Sequence, residues 1–184
     1  MKKIIVCMLF TVVATGAFAQ EKGKVRLGFD VGNYFGANLL YNIQDNLNVG
    51  IRGGVALTTR ESQTEKKVFS AAFTNFSATG NYYFRFQNPS AAFVGGGLGF
   101  YNFDVFWHDH REHVKNYKGN TFGGFLTTGI EIRKIRLALE YNLLPSSSAL
   151  ISNYNDDRQV EDKVKNNYFA ITVGVFMGGG KWGK

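Results

Sequence analysis

Along most of the chain, apolar and polar residues alternate one by one. Residues 47–57 read Leu-Asn-Val-Gly-Ile-Arg-Gly-Gly-Val-Ala-Leu. Leu47, Val49, Ile51, Val55 and Leu57 share one face, and Asn48, Gly50, Arg52, Gly54 and Ala56 share the other. Successive side chains of a strand point to opposite faces, so a period of two predicts a strand with one apolar side; no helical template fits. The same alternation recurs in 24–32, 37–43, 76–86, 91–101, 121–132, 135–143 and 168–177, which predicts eight strands. Residues 68–75 change phase relative to 76–86, which predicts a bulge or bend near Thr74–Asn75.

The connections carry a second pattern. Residues 43–46, 87–90 and 133–134 are short, whereas 59–67, 104–120 and 145–166 are long and polar. Short and long alternate, as in an up-and-down antiparallel barrel with its tight turns at one end and its loops at the other. By parity the tight 33–36 connection falls at the long-loop end.

The contents of the two faces decide which one points outward. The apolar face carries three to five large side chains on each strand, and an eight-stranded barrel interior is only just wide enough for its own side chains. The other face is rich in Gly, Ala, Ser, Thr and Asn, residues that suit a crowded interior. The pattern therefore predicts apolar side chains outward, facing lipid. Closed barrels satisfy every backbone hydrogen bond in lipid without helices. Aromatics near strand ends, such as Tyr41, Tyr82, Phe84 and Phe100, are candidates for interfacial girdles.

The first nineteen residues change the picture of the remainder. Lys2 and Lys3 precede an apolar run from Ile4 to Val13, and Ala17-Phe18-Ala19 is a small-x-small cleavage site. This is the secretory signal pattern. Residues 1–19 are read as a signal peptide and 20–184 as the barrel domain. Cleavage after residue 19 of 184 leaves 165 residues without the single cysteine, Cys7, so no disulfide framework is expected. Two of the 21 Lys+Arg leave with the signal, and the formal charge falls from +7 to +5, too modest and too scattered for a nucleic-acid partner. The mean hydropathy of −0.14 suits a soluble protein, but half of each strand is polar by design. No run reaches the ~18 apolar residues of a membrane-spanning helix.

The signal segment, the eight alternating segments, the Tyr41-Asn42-Ile43-Gln44-Asp45-Asn46-Leu47 turn and the final strand Tyr168 to Met177 together resemble the small eight-stranded outer-membrane barrels of Gram-negative bacteria, the OmpX-like and OmpA-transmembrane-domain-like proteins. The resemblance covers 20–177. It implies an all-β, eight-stranded antiparallel up-and-down transmembrane barrel in the cell outer membrane. The implied partners are outer-membrane lipid, lipopolysaccharide and the barrel-insertion machinery. The chain departs from the family after Met177: such barrels usually end on an aromatic residue, and here Gly178-Gly179-Gly180-Lys181-Trp182-Gly183-Lys184 follows.

Arg26, Asp30, Arg52, Arg85, Glu131, Arg136 and Glu140 fall on the inward face. Charges in a narrow lumen must pair or stay wet. An ion-paired plug is expected, with Arg52, Arg136, Glu131 and Glu140 its best candidates; a thin polar conduit for small molecules is the alternative. The long loops hold the candidate contacts for an extracellular protein or surface ligand: Phe106, Trp107, His108, His110, His113, Tyr117 and Tyr154. The cluster His108-Asp109-His110-Arg111-Glu112-His113 has metal-compatible residue types, but its spacing matches no standard zinc motif, and no metal is assigned. Lys66, Lys67, Arg111, Lys115 and Lys118 could meet anionic headgroups, against the plainer reading of loop solubility. There is no nucleophile elbow, phosphate loop or dinucleotide fingerprint, so no cofactor and no enzyme are expected. A lipid-modifying enzyme built from Ser146 to Ser148 and His108 to His113 carries less weight, since such sets are recognised by geometry rather than composition. The expected role is structural or interactive.

Overall fold

A computed structural model describes residues 24–63, 68–87, 90–107, 112–115, 117–153 and 156–178, with the backbone alone described at 85, 87, 106–107, 112–115, 151–153 and 156–160. The predicted signal segment, Trp182, His108, His110 and Tyr154 lie outside these residues. Among the described residues eleven strands form: β1 (Val25–Gly32), β2 (Tyr34–Gln44), β3 (Leu47–Glu61), β4 (Val68–Gln87), β5 (Ser90–Trp107), β6 (Glu112–Lys115), β7 (Lys118–Ile132), β8 (Ile135–Leu143), β9 (Ser147–Asn153), β10 (Asp156–Val164) and β11 (Tyr168–Gly178). Eight of them close a barrel in the order β1-β11-β8-β7-β5-β4-β3-β2. Every barrel pair is antiparallel, and sequence neighbours pair as expected of an up-and-down fold. Pairing of β1 with β11, from Arg26 opposite Gly178 to Gly32 opposite Thr172, closes the ring and leaves no open edge.

All eight predicted strands are present, and their parity holds. Arg26, Asp30, Asn38, Asn48, Arg52, Ser77, Asn81, Glu131, Arg136, Glu140 and Asn142 are buried in the interior. The exposed large hydrophobics among the described residues all lie on the eight barrel strands. Two outer rows are aromatic. Phe76, Phe100 and Phe122 stand side by side across β4, β5 and β7, and Tyr141 contacts Phe169 across β8 and β11. Tyr41, Tyr82, Phe84 and Phe86 line the opposite, short-turn end. Beyond the first row, the outer wall turns polar at Thr74, Asn102 and Asn120, which face one another in register.

Three expectations are corrected. First, β4 runs unbroken through Thr74 and Asn75, and its register shifts fall at Ser70/Ala71 and Arg85/Gln87 instead. The phase never changes. Phe69, Ala71 and Phe73 are inward because the interior itself becomes apolar at the long-connection end. Second, the segments read as polar loops, 104–120 and 145–166, are largely strand. β5 and β7 extend into the first, and β6, β9 and β10 form a three-stranded sheet, order β10-β9-β6. Ala149 and Val164 of that sheet are buried in the same apolar cluster, so the sheet covers that end of the barrel. Its apolar residues are too sparse to show a period among polar neighbours. Third, the β1–β2 connection is Asn33 alone, tighter than 33–36; its side chain accepts a hydrogen bond from Ile171 N at 2.7 Å and donates to Phe169 O at 2.8 Å, tying the turn to β11.

Candidate functional site

The barrel interior is the candidate site, and it is layered along the axis. Nearest the short turns, Arg26 of β1, Tyr83 of β4, Glu131 of β7 and Arg136 of β8 converge. The inward parity of each strand aims all four into the same layer. Arg26 Nη2 donates to Glu131 Oε1, and Arg136 Nη2 donates to Glu131 Oε2 at 3.2 Å. Glu131 is 1% exposed and shared by two guanidinium groups. The Phe176 ring lies 4.6 Å from the Arg26 guanidinium carbon and 4.2 Å from that of Arg136. Asn48 donates to the Tyr83 hydroxyl at 3.1 Å and accepts from Asn81 at 2.9 Å.

The middle layer is a single bidentate pair. Arg52 of β3 donates through both terminal nitrogens to the Glu140 carboxylate of β8, with Nη2 to Oε1 at 3.0 Å. The Tyr34 and Phe125 rings flank its guanidinium at 4.4 and 4.3 Å. Asn142 donates to Glu140 at 2.7 Å, and Tyr101 donates to Asn142 at 3.0 Å, so the pair is held by a chain of further hydrogen bonds. Buried charge of this kind is tolerated because both carboxylate oxygens of Glu140 find donors. Asp30 accepts from Asn38 and is not in an ion pair among the described residues. It borders, with Arg52, Arg136 and Glu140, a cavity of about 20 Å³. That is room for about one water.

The third layer, under the cap sheet, is aromatic: Tyr34, Phe69, Phe73, Tyr101, Phe103, Tyr117 and Tyr168 form one buried cluster with Leu144 and Val164. Arg60 of β3 enters it. Its guanidinium carbon sits 4.8 Å from the Phe73 ring and 5.2 Å from the Tyr168 ring, and Nη1 donates to Asn167 O at 2.7 Å. Tyr117 donates to Asn166 Oδ1 at 2.7 Å, and Asn166 donates in turn to Pro145 O. Burial pushes the Tyr117 phenol up to about 12, with nearby Arg60 opposing. The cap is fastened to the barrel by the Ser62–Val164 bridge and by Gln63 N donating to Lys163 O at 3.0 Å.

Of the charged residues the sequence singles out, Arg26, Glu131 and Arg136 come together in one layer, and Arg52 and Glu140 in another. The Arg85 side chain lies outside the described residues. The loop-contact set is redistributed. Tyr117 is 1% exposed and belongs to the interior cluster, not to a contact surface. Phe106 and Trp107 are the last residues of β5 rather than loop residues, because β5 continues its pairing with β4 as far as Trp107 opposite Ser70. His113 is a β6 residue paired with Ser152, and its side chain is not among those described. Lys118 is exposed, 3.8 Å from Asp104. Sequence reasoning missed Arg60 and Tyr168. Parity would have found Arg60, because the inward row 48, 50, 52, 54, 56 continues to 60.

No protein-family model matches this chain, and none of the curated proteins matches it. Among solved structures it is similar to the N-terminal β-barrel domain of Pseudomonas aeruginosa OprF, at 10% sequence identity and a TM-score of 0.43, over 83% of this chain and 95% of that one.

Proposed function

We propose that the chain is an integral outer-membrane barrel with a plugged interior, and that its capped end serves a structural or surface-interaction role. The observation that carries this reading is the pairing of an apolar outer wall, bounded by aromatic rows, with an interior closed by ion pairs. Along β4, Phe76 and Phe86 both face outward. Ten residues at a rise of ~3.3 Å and a tilt of ~40° span about 25 Å along the barrel axis, the height of a membrane-barrel apolar band. A water-exposed wall of this kind would be an aggregation surface. Lipid and lipopolysaccharide acyl chains are its natural cover, and the signal-like N-terminus supplies the route of export.

Two guanidinium–carboxylate layers and an aromatic layer stand across the lumen, and a cavity beside them has room for about one water. That favours a plug over a conduit. The test is conductance of refolded protein in planar bilayers, with membrane insertion checked by the gel-mobility difference between boiled and unboiled samples. The reading expects inserted protein without stepwise current. Reproducible current steps that change on Glu131→Gln substitution would overturn the plug. A chain recovered wholly from the soluble fraction would overturn the membrane barrel itself.

A further inference from the structure

We propose that Arg60 marks a binding site for an apolar-bodied carboxylate in the capped mouth of the barrel. The other arginines described in the interior, Arg26, Arg52 and Arg136, each meet a carboxylate. Arg60 meets none among the described residues. It is 6% exposed, and its Nε and Nη2 have no hydrogen-bond partner there. Those two atoms form one edge of the guanidinium fork. Only Nη1, on the other edge, is committed, to Asn167 O. A complete two-donor edge is therefore vacant, and its geometry matches the two oxygens of a carboxylate. The Tyr168 ring packs against the same guanidinium, 5.2 Å from its carbon.

The surroundings select the rest of the ligand. Phe73 and Tyr168 flank the charge, and Tyr117 adds a further aromatic wall. An acid with an apolar or aromatic body matches walls of this kind, whereas a multiply charged oxyanion would lose more hydration than one fork returns. An isolated buried cation is costly, and a single carboxylate neutralises it. The vacant edge is sealed from solvent, so entry requires the β6-β9-β10 cap to lift from the barrel. The cap meets the segment just after β3 at the Ser62–Val164 bridge and through Gln63 N donating to Lys163 O, and opening breaks both.

The experiment is ligand-observed fluorine NMR with 4-fluorobenzoate as the probe, titrated with the full mature chain folded in a non-ionic detergent. The matched neutral probe is 4-fluorobenzyl alcohol. Saturable broadening of the carboxylate probe is expected, with none beyond micelle partitioning for the alcohol. Arg60→Lys keeps the charge but removes the fork, and should weaken binding ~10-fold or more. Folding of the variant is read independently from unboiled gel migration. Equal broadening with native protein and a folded Arg60→Lys variant would overturn the proposal, as would no saturable broadening with native protein. Displacement of the probe by equimolar inorganic phosphate would overturn the apolar-carboxylate assignment.

Discussion

Glu131 is the residue on which the lower interior depends. Its carboxylate serves Arg26 and Arg136 at once, in a layer almost closed to water. Removing one partner of a buried charge set leaves the others uncompensated, at ~3–5 kcal/mol. Glu131→Ala should therefore cost that much in urea unfolding of the micelle-bound barrel. Double-mutant cycles separate the two layers. Glu131→Ala with Arg136→Ala, and Arg52→Ala with Glu140→Ala, should be strongly non-additive, whereas Glu131→Ala with Arg52→Ala should be nearly additive. Strong coupling in that last pair would contradict the layering. The sequence placed these charges on the inward face by parity alone. It could not say which acid meets which arginine, because partners such as Arg26 and Glu131 lie on strands far apart in sequence. Tyr117 escaped for a different reason: a lone aromatic among loop residues reads as a contact, and only the cap sheet makes it interior. Its phenol pKa lies near 12 against an ordinary value near 10, because burial disfavours the phenolate. The stabilising neutral form is fully present below pH ~10 and is lost as pH rises toward 12. Tyr117→Phe should flatten that part of the alkaline unfolding profile. An unchanged alkaline slope would remove Tyr117 from the buried set.

At the scale of elements, strand pairing and side-chain seating work together. An added Cβ at Gly28 would lie 2.3 Å from the Phe176 ring, and one at Gly54 would lie 2.5 Å from the Tyr34 hydroxyl and 2.4 Å from Phe35 O. These glycines leave room for inward rings, which is why the inner face alternates small residues with aromatics. Gly54→Ala should destabilise the barrel by ~1–3 kcal/mol through overpacking, measured by urea titration. A neutral result would mean that the Tyr34 ring does not pack over Gly54 of β3. The β7–β8 turn is two residues, and Arg133 adopts φ 58°, a left-handed conformation that favours glycine. Arg133→Gly should be neutral or mildly stabilising, and Arg133→Val should be destabilising. Barrel strands were legible because seven or more alternating positions leave no helical reading. The cap strands were not: β6 is four residues long, β9 carries Ala149, Leu150 and Ile151 as a run without alternation, and β10 has only Val160 and Val164 as apolar residues. Their pairing is a tertiary property of the barrel mouth they cover.

At the scale of the whole molecule the wall is inverted: large apolar side chains face outward, and charged, polar and aromatic ones fill the interior. Closure by β1 and β11 removes the open edge of the barrel sheet, and aromatic residues face outward toward both ends, Phe76, Phe100 and Phe122 at one and Tyr41, Tyr82, Phe84 and Phe86 at the other. This much was legible from face contents, since bulky apolar residues exceed what eight strands enclose. The apolar third layer was not, because Phe69 and Phe73 imitate a phase change when the interior is assumed polar throughout. The most direct test is site-directed spin labelling of the folded chain in lipid vesicles, with single cysteines at the outward positions Leu98, Leu137 and Val173 and, for contrast, at inward Ser77. The three outward labels should be readily relaxed by oxygen and protected from a water-soluble nickel complex, whereas the label at Ser77 should lack that lipid signature. Outward labels freely accessible to the nickel complex would contradict a lipid-facing wall.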